Sequence, residues 1–241
     1  MNINAKIPQR NQWMAPGAPT RQLTPANLAQ SDYVSLSLES PGAEDALLAA
    51  GMALAQGKPT VLSAPERSHL PWFLREADLS YPSQVTITQA QDPVQVATNP
   101  EAIQGSEQKF DTFIGCLMSG LTPEQYKEGH EHLKQIDQSL GGKNYCEGLA
   151  VKDPNSFGTP KQSLIIDLAA VKSSDRCVFY QYDNSSRPSG MWVELGAALA
   201  WGKECTLLTP DLNGVPPAVR DGMPGLKVIQ YGDHSELFDK G

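Results

Sequence analysis

Apolar positions along this chain fall into short runs of two kinds. Tyr33 to Leu38 alternates apolar residues with Ser, the period of a strand with one covered face. Thr60 to Ser63 and Gln84 to Thr88 are two more short strand candidates. Asp111 to Leu117, Cys177 to Tyr182, Cys205 to Leu208 and Leu226 to Tyr231 are near-continuous apolar runs, as in strands buried on both faces, and Asn144 to Cys146 is a shorter one. Between them lie helical segments. Ala43 to Gln56 and Trp192 to Trp201 are rich in small residues and end at Gly57 and Gly202, each a C′ residue. Leu70 to Ala77 reads as a short helix. Pro123 behind the Thr122 cap opens a helix to about Leu140, stopped by Gly141-Gly142. Gln162 to Val171 is helical and contains Asp167. Strand and helix alternate throughout, which predicts an α/β fold: an open parallel sheet with helices on both faces, flavodoxin-like or Rossmann-like. Residues 1–22 are polar, Pro-rich and without a period, and read as an N-terminal arm. Residues 91–108 read as a linker with room for one helical turn. The domains predicted are thus 23–90 and 109–241.

The two halves share a pattern. Gly51-Met52-Ala53-Leu54-Ala55-Gln56-Gly57-Lys58 matches Gly196-Ala197-Ala198-Leu199-Ala200-Trp201-Gly202-Lys203 at an offset of 145. Ungapped, residues 51–65 match 196–210 at eight of fifteen positions, where chance gives about one. Pro71 and Arg75 match Pro216 and Arg220, and Ser31-Asp32 matches Ser174-Asp175 after a shift of two. The expectation is a partial internal duplication, with a first copy that lacks a counterpart of the 111–117 strand. The shared helix is scaffold, because Gly and Ala let it pack closely. The differences are more informative: Glu194 corresponds to Ala49, Ser189 to Glu44 and Trp192 to Leu47.

Composition narrows the function classes. The net charge of −8 argues against sequence-independent nucleic-acid binding, which needs clustered Lys and Arg. No apolar run is long enough for a membrane span, and Met1-Asn2-Ile3-Asn4-Ala5-Lys6 carries no secretory h-region. Cys116, Cys146, Cys177 and Cys205 form no CxxC pair and no zinc spacing, and read as reduced thiols of a cytoplasmic protein without a bound metal. His130 and His132 lie on a polar helical stretch and read as solvated, and Asp175 as a turn or cap residue.

Phe113-Ile114-Gly115-Cys116, Asp167-Leu168, Ser174-Asp175, Pro188-Ser189 and Val193-Glu194-Leu195-Gly196 together resemble the nucleoside 2-deoxyribosyltransferase-like superfamily. That group includes nucleotide N-glycosidases and is akin to TIR domains. The resemblance covers residues 110–232 and rests on short motifs of common residues. It implies cleavage of a base–ribose N-glycosidic bond without a cofactor. Glu194 would be the nucleophile at C1′, where a carboxylate also stabilises oxocarbenium character. Asp167 would assist base departure. Ser189 would meet a sugar hydroxyl or phosphate near a helix N-terminus. Gly115 and Cys116 would line the sugar, and Tyr145 would stack on a base.

One departure matters. Asn184-Ser185-Ser186-Arg187-Pro188-Ser189-Gly190 stands where deoxyribosyltransferases carry an acid followed by Gly-Thr. Arg187 there suits a phosphate, which favours a nucleotide or dinucleotide over a free nucleoside. Hydrolysis and transfer both remain open. So do a non-catalytic nucleotide sensor or scaffold and a TIR-like effector that depletes NAD. Family members assemble as oligomers with sites near subunit contacts, so a homo-oligomer, or a pseudo-dimer through the repeat, is expected. Read without the resemblance, Glu194 is an exposed first-turn Glu, Asp167 an ordinary helix residue, Ser189 a cap, and Trp192 and Trp201 core or interface residues.

Overall fold

The computed structural model describes residues 23–38, 44–89, 101–117, 121–150, 158–183 and 189–238, and the backbone of 12–15. The strands are β1 (Gln12–Ala15), β2 (Tyr33–Ser37), β3 (Thr60–Ser63), β4 (Val85–Thr88), β5 (Phe110–Leu117), β6 (Asn144–Tyr145), β7 (Ser174–Gln181), β8 (Glu204–Thr209) and β9 (Leu226–Gln230). They form two all-parallel sheets, one in the order β1-β2-β3-β4 and one in the order β6-β5-β7-β8-β9. The helices are α1 (Pro25–Ala29), α2 (Glu44–Ala55), α3 (Ala77–Ser80), α4 (Pro123–Leu140), α5 (Glu147–Ala150), α6 (Pro160–Lys172), α7 (Gly190–Ala200) and α8 (Pro217–Arg220). The fold is α/β with parallel sheets flanked by helices. Among the described residues no helix is long and apolar enough to cross a membrane.

Most elements follow the hydrophobic pattern, and the exceptions have local causes. The lead-in carries β1, which pairs with β2 from Gln12↔Tyr33 to Ala15↔Leu36. Four residues show no period, and only the long-range partner makes them a strand. The helix expected over Leu70 to Ala77 is instead a 3₁₀ turn at Trp72–Leu74 followed by α3. Pro71 is the cause: it holds Leu70 extended (ψ 145°) and cannot donate a helical hydrogen bond. Helix α6 starts two residues earlier than expected, because Thr159, Pro160 and Gln162 build the same reciprocal cap as Thr122, Pro123 and Gln125 build for α4. Of the linker, residues 101–108 are described and contain no helical turn. Ile103 is buried, its carbonyl accepts from Lys172, and the Ser106 carbonyl accepts from Ser173. Asp175 lies exposed within β7 rather than in a turn.

The inner layer is made by α2 and α7. Every residue of α7 from Met191 to Leu199 is buried, as are Ala46 to Leu54 of α2. A helix apolar on all sides belongs between layers. Here α2 rests on β2 and β3, α7 rests on β5, β7 and β8, and the two helices pack on each other. They meet backbone to backbone. A Cβ on Gly51 would lie 1.9 Å from the Val193 carbonyl oxygen, and one on Gly196 would lie 2.1 Å from that of Leu48. The contact is reciprocal, since Gly51 and Gly196, like Leu48 and Val193, are 145 positions apart. Trp201 closes one end, donating from Nε1 to the Ala55 carbonyl at 3.1 Å. It and the fully buried Trp192 are core and interface residues.

Replacing Gly51 or Gly196 by Ala is therefore expected to destabilise. In an exposed helix the change gains about 1 kcal/mol; here the added methyl meets backbone that cannot yield, and the expected loss is about 3 kcal/mol. Urea unfolding of the two variants checks this, and a gain in midpoint for either one would contradict the close approach.

Candidate functional site

The second sheet reverses direction beside β5. The strand after β5 lies on one side of it and the next, β7, on the other. The connections leaving β5 and β7 thus diverge at the carboxyl end of the sheet, where open parallel sheets of this order bind ligands. Of the residues singled out in the sequence, Glu194, Asp167, Gly115, Cys116 and Tyr145 come together beside β5.

Glu194 projects from the second turn of α7. It is not an exposed first-turn residue: 7% of its surface is accessible. Gly115 makes room for it in the sheet, since a Cβ on Gly115 would come within 2.8 Å of the Glu194 Oε2 and 2.6 Å of the Phe179 ring. Among the described residues none donates a hydrogen bond to this carboxylate. Burial, then the charge of Glu147, then Cys146 push its pKa up to about 8.

Asp167, on α6, is 2% accessible. It accepts a hydrogen bond from the Tyr145 hydroxyl at 3.1 Å, and Glu147 is among the charges that act on it. Burial, followed by repulsion from Glu194 and Glu147, holds it well above the usual carboxylate range. Glu147 opens α5 and accepts from Ser163 Oγ at 2.9 Å. The three carboxyl groups thus act on one another inside the protein.

The Tyr145 ring stacks on Phe113 (5.8 Å, 15°) and lies tilted against Phe110, and its hydroxyl donates to Asp167. Cys116, beside Gly115 at the end of β5, lies near Cys146: a Cβ on Gly148 would stand 2.7 Å from the first sulfur and 3.8 Å from the second. Cys146 and burial push the Cys116 thiol well up, which favours its neutral form. Ser189 caps α7, accepting from the Met191 N–H at 3.2 Å, and is itself buried. Arg187 lies outside the described residues.

The sequence reading missed Glu147, Ser163, Cys146 and Tyr81. Two spacings carried the signal for the first pair: Ser163 and Asp167 lie one helical turn apart on the same face of α6, and Tyr145 and Glu147 flank the β6–α5 junction. The first sheet's half also reaches the site. Phe73 packs where a Cβ on Gly190 would stand, 2.7 Å away. The Tyr81 hydroxyl is buried without a hydrogen-bond partner, and burial and then the Asp167 charge push it up. Among the described residues no group of three or more His, Cys, Asp or Glu is arranged to hold a metal ion.

The histidines of α4 are not a solvated pair. His132 is half-buried and stacks on His234 with ring centroids 3.4 Å apart, and both reach the Tyr180 hydroxyl, at 2.8 and 3.3 Å. Burial, then His132, lowers His234 to about 4. Comparison of the chain with family models, with curated proteins and with solved structures gives no match.

Two pH dependences of stability follow. A carboxyl raised on folding stabilises fully below its unfolded pKa of 4.5, and that stability is lost as pH rises through about 8. Glu194→Gln should therefore flatten the fall in stability between pH 5 and 9 by a few kcal/mol (order of magnitude), read from denaturant midpoints at both pH values. A depressed His acts oppositely: its contribution is present above pH 6.5 and is lost as pH falls toward 4. His234→Phe should remove part of the loss between pH 6.5 and 4, and an unchanged acid limb in the thermal melts would count against the stacked pair.

Proposed function

We propose that the chain is an N-glycosidase or ribosyltransferase that cleaves the base–ribose bond of a nucleotide or dinucleotide, with Glu194 as nucleophile and Asp167 as the acid that assists the base. The observation that carries this reading is the pairing of two buried, mutually repelling carboxyls beside β5, with their acidities pushed apart from ordinary values in a water-poor place. Such perturbation is characteristic of sites that do acid–base and nucleophilic work. In the step proposed, a Glu194 oxygen bonds to C1′. The C–N bond breaks with its electron pair leaving on the base, and the base takes the Asp167 proton. Water or a second base then displaces Glu194.

Electrostatics favours the sugar and base at the carboxylates. No Lys or Arg is among the groups that shift Glu194 or Asp167. A phosphate would need a cation, and Arg187 is the one the sequence offers for it. Tyr81 and Phe73 support a role for the first half at the site, and the free Cys116–Cys146 and Cys177–Cys205 pairs suit a reducing, cytoplasmic setting. The reciprocal glycine contact, with β1 beside β2 as β5 is beside β7, supports the reading that the halves are two copies of one unit joined as a pseudo-dimer.

The test is release of free base from NAD, nucleoside monophosphates and deoxynucleosides. Glu194→Ala should abolish release, and Asp167→Asn should slow it by about 10²–10⁴-fold. Because Glu194 must be ionised to attack, kcat/KM should rise with pH up to about 8. Tight binding of a nucleotide with no turnover would instead make the chain a sensor. Base release that survives Glu194→Ala would remove Glu194 from the mechanism.

A further inference from the structure

The four cysteines fall into two pairs that differ in access. Cys177 and Cys205 are register partners across β7 and β8, and each is 1% accessible. The Cys205 thiol donates to the Lys203 carbonyl at 3.4 Å. A reagent much larger than water does not reach that pair in the folded chain. Cys116 and Cys146 are both partly accessible. Cys116 lies near the end of β5, and Cys146 follows directly on β6, the edge strand of its sheet, whose Tyr145 pairs with Phe113. There the chain leaves the sheet. The Leu149 and Ala150 N–H groups turn back and donate to the Cys146 carbonyl at 3.2 and 3.3 Å. That turn brings Gly148 against Cys116. A Cβ on Gly148 would stand 2.7 Å from the Cys116 Sγ and 3.8 Å from the Cys146 Sγ, so both sulfurs border the volume that one missing methyl group leaves. Gly148 is not among the residues with a positive φ. Its backbone does not call for glycine; the room for the sulfurs does.

We propose that Cys116 and Cys146 are a redox modification site: they form a reversible disulfide at the edge of the carboxylate cluster by exchange with a low-molecular-weight disulfide. Cys146, at the sheet edge, gives up its proton and attacks one sulfur of the small molecule. The S–S bond of that molecule breaks, one half leaves and takes a proton, and the other half stays on Cys146. The Cys116 thiol then loses its proton, attacks the Cys146 sulfur and expels the second half, which takes that proton. Two protein thiols are oxidised to one disulfide, and one small disulfide is reduced to two thiols. Cys116 acts second because burial and Cys146 hold its thiol up, which makes it a poor first attacker. Held beside the mixed disulfide, it needs no encounter. A disulfide brings its sulfurs to about 2 Å, and a change between staggered χ1 positions at Cys146 is the movement that closes the gap. The bond ties the end of β5 to the start of α5, next to Gly115, against which the Glu194 carboxylate lies. What it does to base release rests on the reading under Proposed function; whether it forms does not.

The experiment equilibrates the whole folded chain with oxidised and reduced glutathione in varied ratio, then traps the thiols and maps the peptides. The expected result is the loss of two thiols as one disulfide joining Cys116 to Cys146, with Cys177 and Cys205 recovered as thiols and the bond reversed by dithiothreitol. Cys116→Ser should hold glutathione on Cys146, and Cys146→Ser should leave Cys116 without it over the same time. In folded Gly148→Ala, whose methyl group takes the space between the sulfurs, the yield of the bond should fall. Glutathione that stays on Cys146 in the wild type overturns the proposal, and so does a Cys177–Cys205 bond in its place. Four unchanged thiols at ratios that oxidise an exposed dithiol overturn it too. Should Gly148→Ala not fold, the wild-type map decides alone. If the bond forms but no base is ever released, the modification site stands and the glycosidase reading falls.

Discussion

Everything in this molecule hangs on the distance between two helices. Because Gly51 and Gly196 carry no side chain, α2 and α7 meet main chain to main chain. That approach lets one pair of helices serve as the common floor of two sheets, and it accounts for their composition. Gly51 and Gly196 sit at the contact, and Leu47, Leu54, Leu195 and Leu199 are buried in the core. Separate the helices by a methyl group and the layers on each side lose their packing together. The same floor carries Glu194, two residues before Gly196, so the crossing that joins the halves also fixes the depth at which the carboxylate lies.

That depth shapes the site's chemistry. Glu194, Asp167 and Glu147 are held by aromatic rings, hydroxyls and thiols rather than by cations. Their mutual repulsion is answered by protons instead of counter-ions. At neutral pH the cluster therefore carries less negative charge than its three carboxyls would in water, and the charge it carries responds to whatever enters. A developing positive charge would draw protons off; an anion would drive them on.

Hydrophobic periodicity announced nearly every long element, since those elements are dictated by which residues must leave water. It missed β1, whose four residues become a strand only by pairing with β2. It also misread the segment after Pro71, where one backbone constraint outweighed an apolar helical pattern. At the site, Glu194, Asp167, Gly115, Cys116 and Ser189 could be named from short motifs, but their burial could not. A Glu in the first turns of a helix is usually wet, and this one is dry because it lies against Gly115 of β5. Glu147 stayed hidden because its importance comes from its charge acting on Asp167, 20 positions away in sequence. The His132–His234 stack was hidden for the same reason: a polar helical stretch gives no sign that a distant ring will cover it.

The tryptophan at the end of α7 has one more consequence. Trp201 gives its indole hydrogen to Ala55, in the other half, while Lys172 lies over its ring. Cut the chain between the sheets and this side chain loses its acceptor while α7 turns a wholly apolar flank to water. The carboxyl-terminal half, though it holds Glu194, Asp167 and Glu147, is thus not a portable module. Shuffled onto another protein, it would need a surrogate for α2 before its carboxylates found the surroundings that make them unusual.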